Sequence, residues 1–157
     1  MKCNIDGASK GNPGVSGCGG IFRNEEVEAV ICFAKPLGLR TSYHAELCGL
    51  MRAAEIANQM KWSNIWFESN SALVVLATKK PDKVPWEIRK RWNNAMAMIR
   101  SMNCIDTHIY REGNQVADAL ANQALSLNSY TVWHDAPLFI GEHYVKNKLG
   151  WPSYRFC

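Results

Sequence analysis

Three acidic residues stand where a predicted strand ends or a predicted helix begins. Asp6 closes the first predicted strand, Glu46 falls in the first turns of the first long helix, and Asp118 falls in the first turns of the last helix. In a mixed sheet, the exit of a central strand and the starts of neighbouring helices can converge at one edge. Three carboxylates gathered there would repel one another unless a cation neutralised them, and hard cations such as Mg²⁺ take oxygen ligands. Taken singly, Glu46 or Asp118 could instead complement a helix dipole.

A fourth corner of this kind carries an amide. The segment FESNS at 67–71 is typical of a strand that turns into a helix, and it presents Asn70. An amide keeps the shape of a carboxylate but loses its negative charge and replaces one acceptor oxygen with a donor. The residues alone leave open whether Asn70 is an ordinary polar corner or a carboxylate lost from a metal site.

Glu68 is the nearest acid that could replace the missing charge. It lies two residues before Asn70 on the same predicted strand, so it faces the same side of the sheet. The separation along the strand is about 6.5–7 Å. A position at the surface or in support of the site is therefore favoured over direct metal binding by Glu68.

The composition is that of a globular protein of one domain with a full core. The chain has 157 residues, of which 47% are hydrophobic and 20% charged, with a formal net charge of +4. A mildly basic chain is compatible with nucleic acid, but equally with an ordinary soluble protein. The first residues contain no apolar run, so we expect no secretory leader, and the longest apolar run, 29–34, is far short of the ~20 residues that span a membrane.

The cysteine pattern favours reduced thiols in an intracellular protein, either nuclear or cytoplasmic. None of the six cysteines forms a C-x-x-C pair, and no histidine lies at zinc spacing from them. Those in predicted strands and helices are expected to behave as small hydrophobic residues. The cysteines lie at positions 3, 18, 32, 48, 104 and 157.

Periodicity predicts the element order βββαβαβα. The predicted strands are 2–6, 15–23, 27–34, 64–69 and 105–110. The predicted helices begin at 41–42, run from 71 to about 78 and from 86 to 102, and begin again after 114. This order implies an α/β fold with a five-stranded mixed sheet, three antiparallel strands followed by parallel additions, flanked by helices.

Four motifs together carry a resemblance to a known family. They are D-G-A-S-K-G-N-P-G at 6–14, H-A-E-L at 44–47, E-S-N-S at 68–71 and R-E-G-N-Q-V-A-D-A-L-A at 111–121. In this order and with these gaps they resemble the type 1 ribonuclease H family over roughly residues 2–127. The predicted element order agrees with the ribonuclease H-like fold that this resemblance implies.

A narrower resemblance points to one branch of that family. K-V-P-W with a following R-x-R-W at 83–92, and P-S-Y-R-F at 152–156, are similar to plant proteins related to the ribonuclease H part of non-LTR retroelement polyproteins. We therefore divide the chain into a ribonuclease H-like domain, 1–127, and an aromatic-rich C-terminal tail, 128–157. The tail has no clear period, and we expect it to pack partly onto the domain.

The resemblance implies a site with four carboxylates and two Mg²⁺ ions, for which Mn²⁺ can substitute. The matching positions are Asp6, Glu46, Asn70 and Asp118. The implied reaction is in-line attack of a metal-activated water on an RNA phosphodiester. Asn70 in place of aspartate is expected to lower the rate roughly 10²–10⁴-fold. Some members carry a mobile histidine between the last strand and the last helix, whereas this chain resembles the branch with a short R-E-x-N connection. Arg111, the basic residue there, could contact the scissile phosphate, or it could be a solvated turn residue.

Substrate contacts are expected at the turn after Asp6 and at the start of the first long helix. Gly11 lets a backbone approach, and by resemblance Asn12 could reach a ribose hydroxyl, although a plain turn is the alternative. Thr41 and Ser42 could hold a phosphate of the DNA strand. A helix N-cap role for one of them competes with that interpretation.

The segment 79–100 is strongly basic, with seven lysines and arginines against two acids. A basic stretch with aromatic residues suits a duplex backbone, although a solvated face is the alternative. We expect Trp86 and Arg89 to contact nucleic acid and Trp92 to lie in the core. Ser71, beside the amide corner, completes the expected substrate-binding set.

Two functions fit these observations. The first is an RNA–DNA hybrid ribonuclease, an endonuclease weakened at Asn70, and the alternative is a catalytically inactive module that binds RNA–DNA hybrid or other nucleic acid. A small-ligand α/β protein is not supported, because the chain has no G-x-G-x-x-G and no P-loop. The expected partner is nucleic acid, without a membrane, and the chain is expected to be a monomer.

Overall fold

The chain folds around one mixed sheet of six strands. The computed structural model describes residues 1–141, 144 and 145. The strands are β1 (Lys2–Gly11), β2 (Gly14–Arg23), β3 (Ala29–Arg40), β4 (Asn64–Ser69), β5 (Asn103–His108) and β6 (Thr131–Trp133). Their order across the sheet is β5-β4-β1-β2-β3-β6. β1 to β3 form an antiparallel meander, and β4 and β5 are added in parallel beside β1.

The glycine-rich segment after Asp6 is strand rather than turn. β1 and β2 pair from Lys2↔Arg23 to Gly11↔Gly14, so the turn is only residues 12–13. The prediction that 7–14 is turn was therefore wrong. Local glycine content favours a turn, but the second strand of the hairpin supplies a hydrogen-bond partner along the whole segment.

Four helices flank the sheet. They are α1 (Ser42–Gln59), α2 (Ala72–Lys79), α3 (Arg89–Arg100) and α4 (Gln115–Ala124). α3 begins three residues later than predicted, because Trp86–Ile88 form a 3₁₀ turn after Pro85. Within the part of the chain described here, no helix is both long and apolar enough to cross a membrane.

The helices bury two apolar clusters on opposite faces of the sheet. The larger lies under α1 and α3 and includes Phe22, Phe67 and Trp92, which is fully buried as expected. The smaller lies under α4 and includes Ile21 and Leu120. The mixed α/β fold is therefore confirmed, and side chains that alternate along β1 reach different helix layers.

The sheet has one strand more than predicted. β6 pairs antiparallel with β3, with Trp133 opposite Cys32, and Ile140 beyond it is buried under α4. A three-residue strand is too short to produce a visible alternation, which is why periodicity missed it. The segment 146–157, with its expected P-S-Y-R-F resemblance, lies outside the described residues.

The cysteines of the described part are free thiols. Those on β1, β2, β3 and α1 are buried in the core, as expected for small hydrophobic residues. Burial raises the pKa of Cys18 and of Cys32 to about 12, so both are protonated at neutral pH.

Candidate active site

Asp6 lies at a step in the sheet. The pairing of β1 with β4 ends at Ile5↔Ser69, so Asp6 is the first residue of β1 beyond the end of its parallel neighbour. Its side chain is only 4% exposed, and the backbone N–H of Gly7 donates to its Oδ1 at 2.8 Å. The step leaves room beside β1 for side chains from other elements.

Gly7 lets α1 approach this step. A Cβ at Gly7 would lie 2.8 Å from Glu46 Cα and closer still to the Glu46 backbone nitrogen. Since no side chain intervenes, the first turns of α1 pack directly on β1 and bring the half-buried Glu46 to the site. The Ser71 hydroxyl hydrogen-bonds to the Glu46 carboxylate, and the positive charge of Arg111 acts on it as well.

A second glycine lets α4 approach from the other face. A Cβ at Gly19 would lie 2.7 Å from the backbone nitrogen of Ala121, so α4 packs closely on β2. This packing brings Asp118, in the first turn of α4, into hydrogen-bond contact with Asp6. Asn122 donates to Asp118 Oδ1 at 3.2 Å from one turn further along α4.

The gathered acids shift the protonation of Asp6 strongly. Burial, then the negative charge of Asp118, and then that of Glu46 raise the pKa of Asp6 to about 8, against an opposing hydrogen bond from Gly7. Burial also raises the pKa of Glu46, while Ser71 and Arg111 act in the opposite direction. At neutral pH the Asp6–Asp118 pair therefore retains a proton, which a bound cation would displace.

The acids do not form a three-carboxylate cage. Within the described residues, no three His, Cys, Asp or Glu side chains come together in a way that could hold a metal ion. Glu46 still influences the pKa of Asp6, because charges act over longer distances than coordination bonds. The donor set fits one divalent cation held by Asp6 and Asp118, with water and substrate oxygens completing its shell. It does not fit two ions held by four carboxylates.

Asn70 is held by a residue that the motif analysis did not single out. Asn114, the N-cap residue of α4, is 2% exposed. Its Nδ2 donates to Asn70 Oδ1 at 2.8 Å and to the backbone carbonyl of Ile5 at 2.9 Å. The amide oxygen of Asn70 is therefore turned towards Asn114.

Asn114 belongs to a buried polar chain that starts at the far end of β1. Asn4 Nδ2 donates to Asn114 Oδ1 at 3.1 Å and to Glu68 Oε1 at 3.2 Å. Arg23 Nη1 donates to Asn4 Oδ1 at 2.7 Å, and Lys2 pairs with Glu68 at 2.7 Å. Glu68 thus has the supporting position that the sequence favoured. Asn4 could have been flagged, because it shares the face of Asp6 on β1.

The turn between β1 and β2 is tied to the start of α1. Asn12 Oδ1 accepts a hydrogen bond from the backbone N–H of Ser42 at 3.2 Å, and Thr41 Oγ1 accepts one from His44 N at 3.1 Å. Thr41 is therefore the N-cap of α1, one of the two roles that the sequence allowed. Gly11 has φ +131, a conformation that side chains rarely adopt.

In the basic segment 79–100, some side chains are exposed to solvent and others form hydrogen bonds within the protein. Trp86 is 78% exposed, as expected of a contact residue. Arg89 instead donates to the backbone carbonyl of Val84 at 2.6 Å, which fixes the loop before α3.

Ser71 is the N-cap of α2 as well as a partner of Glu46. Arg111 is exposed at the edge of the site.

A basic cleft of about 700 Å³ lies beside the start of α1. It runs between the end of β3 and the loop before α3. The charged and titratable side chains that line it are Lys35, Arg40, His44, Cys48, Glu87 and Arg91. Arg91 also pairs with Glu55 at 2.7 Å, which reduces its free charge.

Comparison with known proteins identifies the family. A family model described as "Reverse transcriptase-like" matches residues 4–124. The chain is 33% identical over 130 residues to a protein of Arabidopsis thaliana named for ribonuclease H, a match that covers 82% of this chain. It is 31% identical over 128 residues to ribonuclease HI of Halobacterium salinarum, which covers 77% of this chain. The chain belongs to the type 1 ribonuclease H family.

Solved structures of the ribonuclease H family share the fold. The crystal structure of LC11 ribonuclease H1 in complex with an RNA/DNA hybrid superposes with a TM-score of 0.69 at 26% identity, covering 80% of this chain and 96% of that one. The chain spans 21% of the length of the Arabidopsis relative and 62% of the Halobacterium enzyme.

Proposed function

We propose that this chain binds RNA–DNA hybrids and hydrolyses the RNA strand endonucleolytically, at a rate reduced by Asn70. The observation that carries the proposal is the contact between Asp6 and Asp118, with Glu46 nearby, on a ribonuclease H fold. A buried, partly protonated acid pair is unfavourable for stability, and its presence at the step in the sheet favours a role in chemistry.

Asp6 and Asp118 are the residues that would hold a divalent cation. When bound, such a cation would neutralise the acid pair and polarise a phosphate oxygen of the substrate. Glu46 is held in place by Ser71 and faces the charge of Arg111. We expect the exposed guanidinium of Arg111 to bind a phosphate at the edge of the site.

The basic cleft is the proposed binding surface for the DNA strand. Lys35 and Arg40 supply positive charge along its wall, and Trp86 stands exposed next to Pro85 and Glu87 of its far wall. Phosphate binding by such side chains releases counterions, so the affinity should fall steeply with salt. The relative with a hybrid in its crystal structure supports this choice of ligand.

A second candidate function is binding without turnover, and Asn70 favours it. One negative charge is missing where the family pattern has aspartate, and the amide oxygen is engaged by Asn114. Under this alternative the groove and the basic cleft are retained while hydrolysis is lost. The two functions make the same prediction for binding and opposite predictions for cleavage.

The experiment is cleavage of a labelled RNA–DNA hybrid in Mg²⁺ and in Mn²⁺ by the wild type, Asn70→Asp and Asp6→Asn, with Asp82→Asn as an exposed control. We expect slow cleavage by the wild type, none by Asp6→Asn, and an increase of roughly 10²–10⁴-fold in Asn70→Asp. Cleavage by Asn70→Asp alone would establish the binding module instead. A folded but silent Asn70→Asp would refute the hydrolase assignment altogether.

A further inference from the structure

The polarity of the Asn70 amide, that is, which of its two terminal atoms faces Asn114, is fixed by the hydrogen-bonding chemistry of the neighbouring residues. An arginine can only donate and a carboxylate can only accept, so Arg23 and Glu68 leave one orientation for the Asn4 amide, with Oδ1 on Arg23 and Nδ2 on Glu68. Asn4 Nδ2 also faces Asn114, which must therefore present its oxygen to Asn4.

The next link is forced in the same way. The backbone carbonyl of Ile5 can only accept, so Asn114 must present its Nδ2 on that side. That same nitrogen donates to Asn70 at 2.8 Å, so the atom of Asn70 that accepts must be its amide oxygen. The terminal atom that remains on Asn70 is the amide nitrogen, which is a hydrogen-bond donor and not a ligand for a cation.

Burial makes this polarity expensive to reverse. Asn4 and Asn114 are each 2% exposed, so an inverted amide would place two acceptors or two donors against each other without water to separate them. The orientation of Asn70 is thus imposed from the far end of β1, through Arg23.

We infer that Asn70 is a phosphate-binding residue, which donates from its amide nitrogen to a phosphodiester oxygen of nucleic acid, and that Asn114 is the positioning residue that fixes this polarity. The inference rests on the proposed function, since it deepens hybrid binding at the same site. It also accounts for the corner at Asn70 without a metal ion. An aspartate there would repel the phosphate unless a cation stood between them.

The test is the affinity for an RNA–DNA hybrid in EDTA at low salt, measured by fluorescence anisotropy. Asn70→Ala is expected to weaken binding about 10- to 100-fold, the range for a hydrogen bond to a charged group. Asn70→Asp is expected to weaken it at least as much, and to bind Mn²⁺ more tightly than the wild type in electron paramagnetic resonance titrations without nucleic acid. If Asn70 acted only by lacking a charge, Asn70→Ala would bind hybrid as the wild type does, and the inference would be wrong.

Asn114→Asp tests the positioning role. An aspartate at 114 can only accept, so Asn70 would turn its nitrogen inward and lose its contact with phosphate. We therefore expect Asn70→Ala to have no further effect on hybrid affinity in the Asn114→Asp background, whereas independent roles would give additive losses. Circular dichroism of each variant identifies any that fails to fold. The Asn70→Ala comparison still decides the inference if Asn114→Asp is such a variant.

Two further results show which group of the nucleic acid Asn70 contacts, and distinguish a failure of the proposed function from a failure of this inference. A hybrid whose RNA strand carries 2′-fluoro groups keeps its phosphates, so the Asn70→Ala penalty should persist; its loss would assign the contact to a ribose hydroxyl and overturn the phosphate assignment. If the wild type binds no hybrid even at low salt, the proposed function fails and the inference falls with it. If wild type and Asn70→Ala bind equally well, only the inference fails.

Discussion

Replacing Asp6 with asparagine should stabilise the fold at neutral pH. The pKa of Asp6 is raised from 3.8 to about 8 in the folded state, so the native state binds more protons than the unfolded state between those values. The wild type therefore loses stability as pH rises through this window. Asparagine does not titrate, can still accept from Gly7 N–H through its oxygen, and can donate to Asp118.

The size of the effect follows from the width of the window. Each pH unit between the two pKa values changes the free energy of unfolding by about 1.4 kcal/mol. From pH 5 to pH 7 the wild type should lose up to about 2.7 kcal/mol relative to Asp6→Asn. Near pH 4, where Asp6 is protonated in the folded state and about half ionised in the unfolded state, the linkage should change the free energy of unfolding by only about 0.6 kcal/mol, so the two proteins should differ little.

Urea unfolding followed by far-UV circular dichroism, in EDTA at pH 4, 5, 6, 7 and 8, measures this difference directly. The raised pKa of Glu46 contributes to the pH dependence of both proteins, so it largely cancels in the comparison. The exposed carboxylate of Asp82 supplies the control, since Asp82→Asn should change stability by less than about 0.5 kcal/mol at every pH. A difference that does not grow with pH, or a less stable Asp6→Asn at pH 8, would refute this account of the acid pair.

Two other pairs of variants probe the core and the site. Trp92→Ala should lower the free energy of unfolding by about 3–5 kcal/mol in urea titrations, because Trp92 is fully buried. The exposed Trp86→Ala should leave stability unchanged and weaken hybrid binding in anisotropy titrations, and the reverse pattern would contradict the assignments. Gly7→Ala should cost about 1–3 kcal/mol, because its Cβ collides with the backbone of Glu46. Gly141→Ala, with open space around its Cβ, is the control, and equal stabilities would show that α1 can shift freely.

The sequence predicted the bounds of strands and helices well where the hydrophobic periodicity is strong. β4 matches its predicted bounds, and α1 begins where its N-cap was expected, because alternation and a capping threonine are local signals. Local signals failed at β1 and β6. The second half of β1 was hidden by its glycines, of which Gly7 allows the close approach of α1, and β6 is too short to have a period.

The sequence singled out the acids of the candidate site but not the buried amides beside them. Asp6, Glu46 and Asp118 were singled out because the sequence placed each near the end of a strand or the start of a helix, although Asp6 lies within β1, at the point where the pairing with β4 ends. Asn4 could have been flagged only from its face on β1, and its link to Asn114 could not be foreseen, because that hydrogen bond joins residues 110 positions apart. A buried amide carries no sequence signature, whereas its partners in three dimensions determine its polarity completely.

The structure also explains how little separates a cation site from a phosphate site at this corner. Asn114 Nδ2 donates to whichever acceptor position 70 offers, so an aspartate could take the same place without any change in Asn4, Glu68 or Asn114. With aspartate the second terminal atom would be an acceptor oxygen that favours a metal ion. With Asn70 it is a donor that favours the phosphate itself. The surrounding network thus supports both chemistries, and one side-chain atom decides between them.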